Sequence, residues 1–300
     1  MKAMRYLFTL IMCAGLSTAV FAQQPVNTTM SPGGASVQQQ NAEVPPDIYE
    51  RENIIPEKKP VPYAHIREAD VMWAKDLWRI IDLRERMNYP LRYPETEPIG
   101  NRYSLYLLLM EGIRSEELTP YAFKDNFNNP FSQPTTLKQI YQTIGADTVF
   151  GDDGEEVLRI NVRGPYIKQV YVKEKWFFDK QHSEMKVRIV ALAPVIVQNK
   201  TTQDGQVLPE IEKIIPFFVS YPQCRRLFAT HPVFNPKNDA QRISFDDLFF
   251  QRRFSSVIAA ESNVHGNRFI LDYLTGQDAL MEARRIKEEL FRMEHDLWEY

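Results

Sequence analysis

Between Glu155 and Ser220 the chain changes period, and that change limits the folds open to it. Leu158, Ile160 and Val162 alternate with Val157, Arg159 and Asn161. Val170, Val172, Trp176 and Phe178 alternate with Tyr171, Lys173, Lys175 and Phe177, and Val187, Ile189 and Ala191 alternate with Lys186, Arg188 and Val190. Successive side chains of a strand point to opposite faces, so a period of two marks half-buried strands. Asp179 to Ser183 is a short polar connection, which predicts an antiparallel hairpin of Tyr171–Phe178 with Met185–Ala193. Val195–Val197 and Ile214–Ser220 are further strand candidates, with Asn199–Gly205 as a loop between them. The expected sheet is mostly antiparallel, with one polar face available for helices or solvent.

On both sides of this block the period is helical. Ile66, Ala69, Trp73, Leu77, Ile80, Leu83 and Met87 recur at three- and four-residue steps, which predicts a first helix over Tyr63–Met87. Val71, Trp78 and Ile81 make a second stripe on it, so the helix is either deep in a core or covered by another subunit. Asn88-Tyr89-Pro90 stops it. Arg102–Ile113 and Pro134–Ile144 read as two more helices. Further on, Ser244 caps a helix through Phe250, with Asp247 as the capping-box carboxylate. In the last helix Ala279, Ala283, Ile286, Leu290, Met293 and Leu297 step by 4, 3, 4, 3, 4, which fits both ordinary core packing and a short coiled coil. The fold class is α+β: a central, mostly antiparallel sheet flanked by N-terminal and C-terminal helices. It forms a single domain over 63–300, helical over 63–150, strand-rich over 155–220 and helical over 221–300.

The segments before residue 63 have another character. Lys2 and Arg5 precede an apolar run to Phe21, and Val20-Phe21-Ala22 ends it with small residues at the two positions a signal peptidase reads. Residues 1–22 are therefore expected to be a cleavable secretory signal that delivers the chain outside the cytoplasm. Gln23–Pro62 holds seven prolines, Gln38-Gln39-Gln40 and one aromatic, Tyr49. It reads as a disordered tether, or a strap that orders only on a partner. Without the signal, the 36 Lys+Arg and 39 Asp+Glu fall to 34 and 39, a net charge of about −5. Basic residues cluster only as pairs, Arg225-Arg226, Arg252-Arg253 and Arg284-Arg285, which read as a solvated face and give no nucleic-acid groove. Losing Cys13 leaves Cys224 alone, so the exported chain has no internal disulfide and relies on its core or its partners.

Motifs for catalysis are absent. There is no phosphate-binding loop, dinucleotide fingerprint, nucleophile elbow or zinc-helix motif. His65, His182, His231, His265 and His295 are scattered singly, without metal-ligand spacing. His182 reads as a turn residue beside Glu184, and Cys224 as a buried structural thiol. Gly151–Glu156 looks like a calcium loop only superficially, because Ala146 and Val149 stand where the first acidic ligand belongs. Asp125 and Asp147 form at most a distant carboxylate pair. The expectation is no catalytic residue, no metal and no cofactor, which favours a binding or assembly role.

Several blocks are distinctive in combination. They are Ile66–Trp73 continuing into Trp78–Glu85, Trp176–Asp179, Val187–Ile189 with Leu192–Pro194, and Tyr221–Arg225. Asp247–Phe249 with Arg253–Ser256, and the ending Glu294–Trp298, complete the set. Together, and in this order, they resemble the GldN/PorN family of gliding-motility and type IX secretion proteins, from about Ile66 to Tyr300. The resemblance implies a non-enzymatic periplasmic subunit that forms a ring under the outer membrane with a GldK/PorK-type lipoprotein. It also implies contact with the periplasmic part of a GldM/PorM-type inner-membrane protein. Self-association into a ring needs different patches on the two sides of each subunit, and Trp73, Trp78 and Ile81 are the candidate partner-interface residues, with burial in the core as their alternative. Two other classes stay open: a periplasmic hydrolase with a dispersed site, and a free chaperone for exported proteins.

Overall fold

The computed structural model describes residues 58–99, 102–123, 127–144, 147–150, 156–159, 167–201, 207–238 and 240–297. The predicted signal, the tail as far as residue 57, the turn at Gly151–Glu155, the strand positions Ile160–Val162, most of the loop before Val207, Asp125 and Trp298 lie outside the described residues. In chain order the elements are β1 (Val71–Asp82), α1 (Tyr89–Arg92), α2 (Leu105–Arg114), β2 (Pro120–Tyr121), α3 (Leu137–Ile144), β3 (Asp147–Phe150) and β4 (Glu156–Arg159). There follow β5 (Ile167–Asp179), β6 (Glu184–Thr201), β7 (Val207–Ile214), β8 (Phe218–Ser220), α4 (Tyr221–Thr230), β9 (Pro232–Val233), β10 (Ile243–Ser244), α5 (Phe245–Phe250), β11 (Val257–Glu261) and α6 (Gly276–Asp296). Seven strands make one antiparallel sheet in the order β11-β1-β5-β6-β8-β2, with β7 paired to β6. β3–β4 and β9–β10 are separate two-stranded ribbons.

The α+β class and the hairpin expected from the period-two block are both present. β5 and β6 pair from Ile167↔Ile196 to Asp179↔Glu184, with Trp176 opposite Val187. Polar chemistry closes the turn. The Asp179 carboxylate accepts from the Gln181 backbone N–H at 3.0 Å and from Lys186 Nζ at 2.7 Å, and His182 Nδ1 lies 2.7 Å from it. Ser183 then takes a positive φ of 53°. Such side-chain-to-backbone bonds are how aspartate fixes a tight connection. Val195–Val197 belongs to β6 rather than to a separate strand, and Ile214–Ser220 is divided between the end of β7 and β8.

The helix expected over Tyr63–Met87 is instead a strand, β1, preceded by a 3-10 turn at Glu68–Asp70 and followed by another at Arg86–Asn88. β1 lies inside the sheet, between β11 and β5, so both its edges are paired, and both its faces are covered by apolar clusters. Leu77 packs with Ile258, Ile270, Ile286 and Leu290, while Trp78 packs on the other face with Tyr171, Ala193 and Phe218. A strand that is apolar on both faces and a helix with two apolar stripes give the same short-range spacing. Its Val71, Trp73, Trp78, Ile80 and Ile81 are residues that suit a pleated sheet, and that content decides for the strand. The region 63–150 is therefore not wholly helical, and its helices follow β1.

One side of the sheet is covered by α2, α3, α4 and α5, whose Leu108, Ile140, Phe228 and Phe249 meet Val172, Leu192 and Ile196 from the strands. α6 covers the β11 end of that same side. Its Ala279, Ala283, Ile286 and Leu290 sit on Leu77 and Ile258, which settles those positions as core packing within the chain. No helix among the described residues contributes to the apolar cluster on the opposite side. It is closed by Phe123, Phe127 and Phe269 from loops, packed on Trp78, Tyr171 and Phe218, so the polar face expected of the sheet is apolar at its centre. No helix among the described residues is long and apolar enough to cross a membrane.

Two outcomes follow for this frame. At Gly112 on α2 an added Cβ would lie 2.6 Å from Leu227 Cδ2 and 2.7 Å from Leu118 Cδ1. Gly112→Val is expected to lower the unfolding free energy in urea by about 1–3 kcal/mol; an unchanged midpoint would show that α2 and α4 are not in close contact. The Lys186 ammonium, helped by His182 and the Gln181 N–H, holds the Asp179 carboxyl well below the usual range against the opposing effect of burial. Its stabilising effect is therefore full above the unfolded value of about 4 and is lost as pH falls through the lower folded value. Lys186→Met should move the Asp179 titration, followed by carboxyl carbon NMR, back toward the ordinary range.

Candidate functional site

The first place where polar chemistry gathers is where the chain enters the domain. The capping box of α5 is present: Ser244 Oγ accepts from the Asp247 N–H at 3.2 Å, and Asp247 Oδ2 accepts from the Ser244 N–H at 3.1 Å. It places Asp246 and Asp247 in the first turn, where the helix dipole favours negative charge. Asp246 points inward. Arg225 of α4 is itself buried and donates to both oxygens of Asp246 through Nε and Nη2, at 2.9 and 3.1 Å. The Tyr221 hydroxyl donates to the same carboxylate at 3.3 Å, and burial, reinforced by Asp246, pushes its phenol well up. Asp247 faces outward and pairs with Lys58, whose Nζ also donates to Ser244 Oγ at 3.1 Å. Burial would raise the Asp247 carboxyl, but Lys58 and Ser244 outweigh it and hold it below the ordinary range.

These groups seat a strap, residues 58–66, across the domain. Arg225 Nη2 donates to the Val61 carbonyl at 2.6 Å, and Arg188 of β6 donates to the Ala64 carbonyl. Between those two bonds the Tyr63 ring lies 4.2 Å from Arg225 Cζ and 4.9 Å from Arg188 Cζ, and it stacks on Phe250 with centroids 6.2 Å apart. Beside it is an apolar groove of about 570 Å³ lined by Tyr63, Ile66, Val71, Phe177, Arg188 and Pro222, among others. Residues 58–62 were expected to order only on a partner. They are instead held by their own domain. The arginine pairs read as a solvated face divide in the same way: Arg225 is buried, Arg252 is half-buried against Glu174, and only Arg284-Arg285 is exposed on both members. Tyr63, Arg188, Arg225 and Asp246 were not legible as a site, because they are 37 or more residues apart except for Arg225 and Asp246; the capping box was the only local signal.

The residues proposed for a partner interface are elsewhere. Trp78 is 3% exposed, edge-on to Phe127 and Phe218 at 5.3 and 6.0 Å, with Lys173 Nζ 5.5 Å from its ring. Ile81 is fully buried, and Trp73 is half-buried against Trp176. The three fall into three separate apolar clusters. The helical stripe that grouped them does not exist, since the segment is a strand, so they form no common surface within this chain.

The residues weighed for chemistry are dispersed. Cys224 is buried and its thiol is pushed up by burial, as fits a structural position. His182 closes the hairpin turn, and His231 Nδ1 lies 2.9 Å from the Leu227 carbonyl at the end of α4. Among the described residues no three His, Cys, Asp or Glu side chains are grouped to hold a metal ion. What the arrangement can do is hold extended chain: guanidinium groups on backbone carbonyls and an aromatic ring between cations.

A family model described as "Gliding motility associated protein GldN" matches residues 66–299. The match begins where the strap ends and spans every strand and helix named above. No curated protein matches the chain.

Two substitutions separate core from strap. Trp78→Ala is expected to destabilise the isolated chain by about 3–5 kcal/mol in thermal or urea unfolding, as truncation of a buried aromatic does. A stable, folded Trp78→Ala that only loses a partner would restore the interface reading. Tyr63→Ala should speed trypsin cleavage after Lys58 while leaving the unfolding midpoint of the domain nearly unchanged. Unaltered cleavage would mean that the two arginines alone seat the strap.

Proposed function

The chain belongs to the GldN family of gliding-motility-associated proteins, and from that premise we propose that it is a non-enzymatic structural subunit of the gliding and type IX secretion machinery. It acts in the periplasm, exported by its N-terminal signal. There it joins a GldK/PorK-type lipoprotein in a ring at the outer membrane and meets the periplasmic part of a GldM/PorM-type protein, so that work done at the inner membrane reaches the ring. The observation that carries this reading is the family match over 66–299, which takes in nearly all of the described domain.

The domain's construction supports it. Its buried charges are spent on holding elements together, Arg225 with Asp246 and Arg79 with Glu174, rather than aimed into a common cleft. α6 leaves Leu280, Met281 and Phe291 exposed on its outer side.

The test is purification of the chain from solubilised envelopes with its partners identified and the particle sized. The expected outcome is co-purification of an outer-membrane lipoprotein in a ring-shaped particle of megadalton size. A monodisperse single subunit without a lipoprotein would overturn the reading.

A further inference from the structure

The strap touches the domain without entering its core, since none of residues 58–70 is buried. Its bonds go to side chains of β6, α4 and α5 that stand 124 to 189 positions further along the chain. The seat is built without it. Both oxygens of Asp246 orient Arg225, and the capping box orients Ser244 and Asp247. The groups that hold the strap therefore stay in place when it leaves, ready for a segment of the same sequence.

The covalent tie between strap and sheet is short and exposed. Only Arg67–Asp70 joins Ile66 to β1, and the 3-10 turn within it has no side-chain cap and no buried residue. The Asp70 N–H donates to the Arg67 carbonyl at 3.0 Å to close it. A short hinge beside a preformed seat is the arrangement from which identical copies exchange an element. Four extended residues span about 13 Å, and Ile66 and Val71 already line one groove, so a copy placed beside that groove is within reach. Charge fits as well. In an exchanged pair the two hinges run antiparallel across a two-fold axis, which sets Arg67 of one copy beside Glu68 of the other. Both residues are exposed and form no ion pair with another described residue. Opposite neighbours of this kind make a surface complementary to itself.

We infer that two copies of this chain exchange straps, each seat receiving Lys58–Ile66 of the other copy. Every bond of the strap is kept, because seat and strap are the same in both. The balance between own and exchanged strap is then set by the hinge and by how concentrated the copies are. In dilute solution the tether keeps the strap at home; where copies stand side by side, the neighbour's seat competes for it. The contact is between like subunits and does not depend on which lipoprotein or inner-membrane protein the chain meets.

The test uses the chain without its first 22 residues and a carbodiimide, which joins a lysine amine to a touching carboxylate as an amide. Lys58 and Asp247 are such a pair. In the unsubstituted chain at low micromolar concentration they should link internally, with no change of size. Lys58→Arg and Asp247→Asn chains are then mixed in equal amounts at about 1 mM, the order of a short tether's effective concentration. In this mixture the Lys58–Asp247 amide forms only between copies, and a covalent dimer carrying that link in its peptide map is expected. Inserting Gly-Ser-Gly-Ser after Ile66, in both chains, should lower the dimer at least fivefold, because a longer hinge relaxes to its own seat. Arg67→Glu in both chains should lower it about fivefold, and adding Glu68→Arg should restore it. No linked dimer in the mixture, a dimer indifferent to the hinge insertion, or one indifferent to Arg67→Glu would each overturn the inference. Failure of the unsubstituted chain to link internally would also overturn it, since the strap would then not occupy the seat.

Discussion

The carboxylate of Glu174 is wholly buried on β5, and taking such a group out of water costs several kcal/mol unless partners replace the solvent. Three donors do so: Arg79 Nε and Trp176 Nε1, each at 2.9 Å, and Arg252 Nη2 at 2.6 Å. The first is on β1, the second on β5, and the third follows α5, in the left-handed region at φ 53°. α5 has to end where it does for Arg252 to turn back to this point. Arg79 also reaches Ser256 at 3.3 Å, one residue before β11 begins. The carboxylate thus sets how β1, β5, β11 and the end of α5 meet, on the side of the sheet where the α2–α5 cluster gives way to the α6 cluster. Loss of any one donor leaves charge buried without its partner, which is far more costly than loss of an exposed pair.

The covering of the sheet follows from this arrangement. One side carries helices because α2, α4, α5 and α6 each present an apolar stripe to it. The other side is closed by single aromatic residues from loops. Phe127 touches Trp78, Tyr171 and Phe269 with centroids 4.3–5.8 Å apart. Aromatic rings bury large areas from few residues, so short irregular segments suffice where no helix is available. Among the described residues, the strap groove beside β6 is one place open to another molecule.

How much of this was legible depended on whether the determining contacts were local. The β5–β6 hairpin was readable because period-two alternation and a five-residue polar connection lie within one stretch of chain. α2, α5 and α6 were readable from apolar spacing and, for α5, from Ser244 and Asp247 three residues apart. β1 was misread because its neighbours lie 95 and about 180 residues away, as in the Arg79–Glu174 bond and the Trp78↔Ala260 pairing. Only those neighbours make both of its faces apolar. The same cause misplaced Trp78 and Ile81, which looked like a surplus stripe and are core. Arg225 looked like half of a solvated pair, and nothing near it in sequence announces Asp246. The family resemblance over Ile66 onward was readable because it rested on order and identity of blocks rather than on any one contact, and it is matched over 66–299.

The strap illustrates how magnitudes rank contacts that look alike. Lys58 and Asp247 are each about a third exposed, and pairs of that kind contribute roughly 0–1 kcal/mol and weaken in salt. Arg225 is different. Its charge is already neutralised by Asp246, so its remaining N–H can donate to the Val61 carbonyl without any further desolvation of an ion. Tyr63, whose ring is 4.2 Å from Arg225 Cζ and 4.9 Å from Arg188 Cζ, adds cation–π attraction of about 0.5–2 kcal/mol for each guanidinium, according to how far water is excluded. The strap is therefore pinned at its middle and only lightly at Lys58. Tension applied through the chain before Lys58 would break the lysine pair first and then meet Tyr63, where the ring and two carbonyl bonds must give together. That order of strength sets Tyr63, and not the first charged contact, as the point at which pulling on the N-terminal segment is felt by the folded domain.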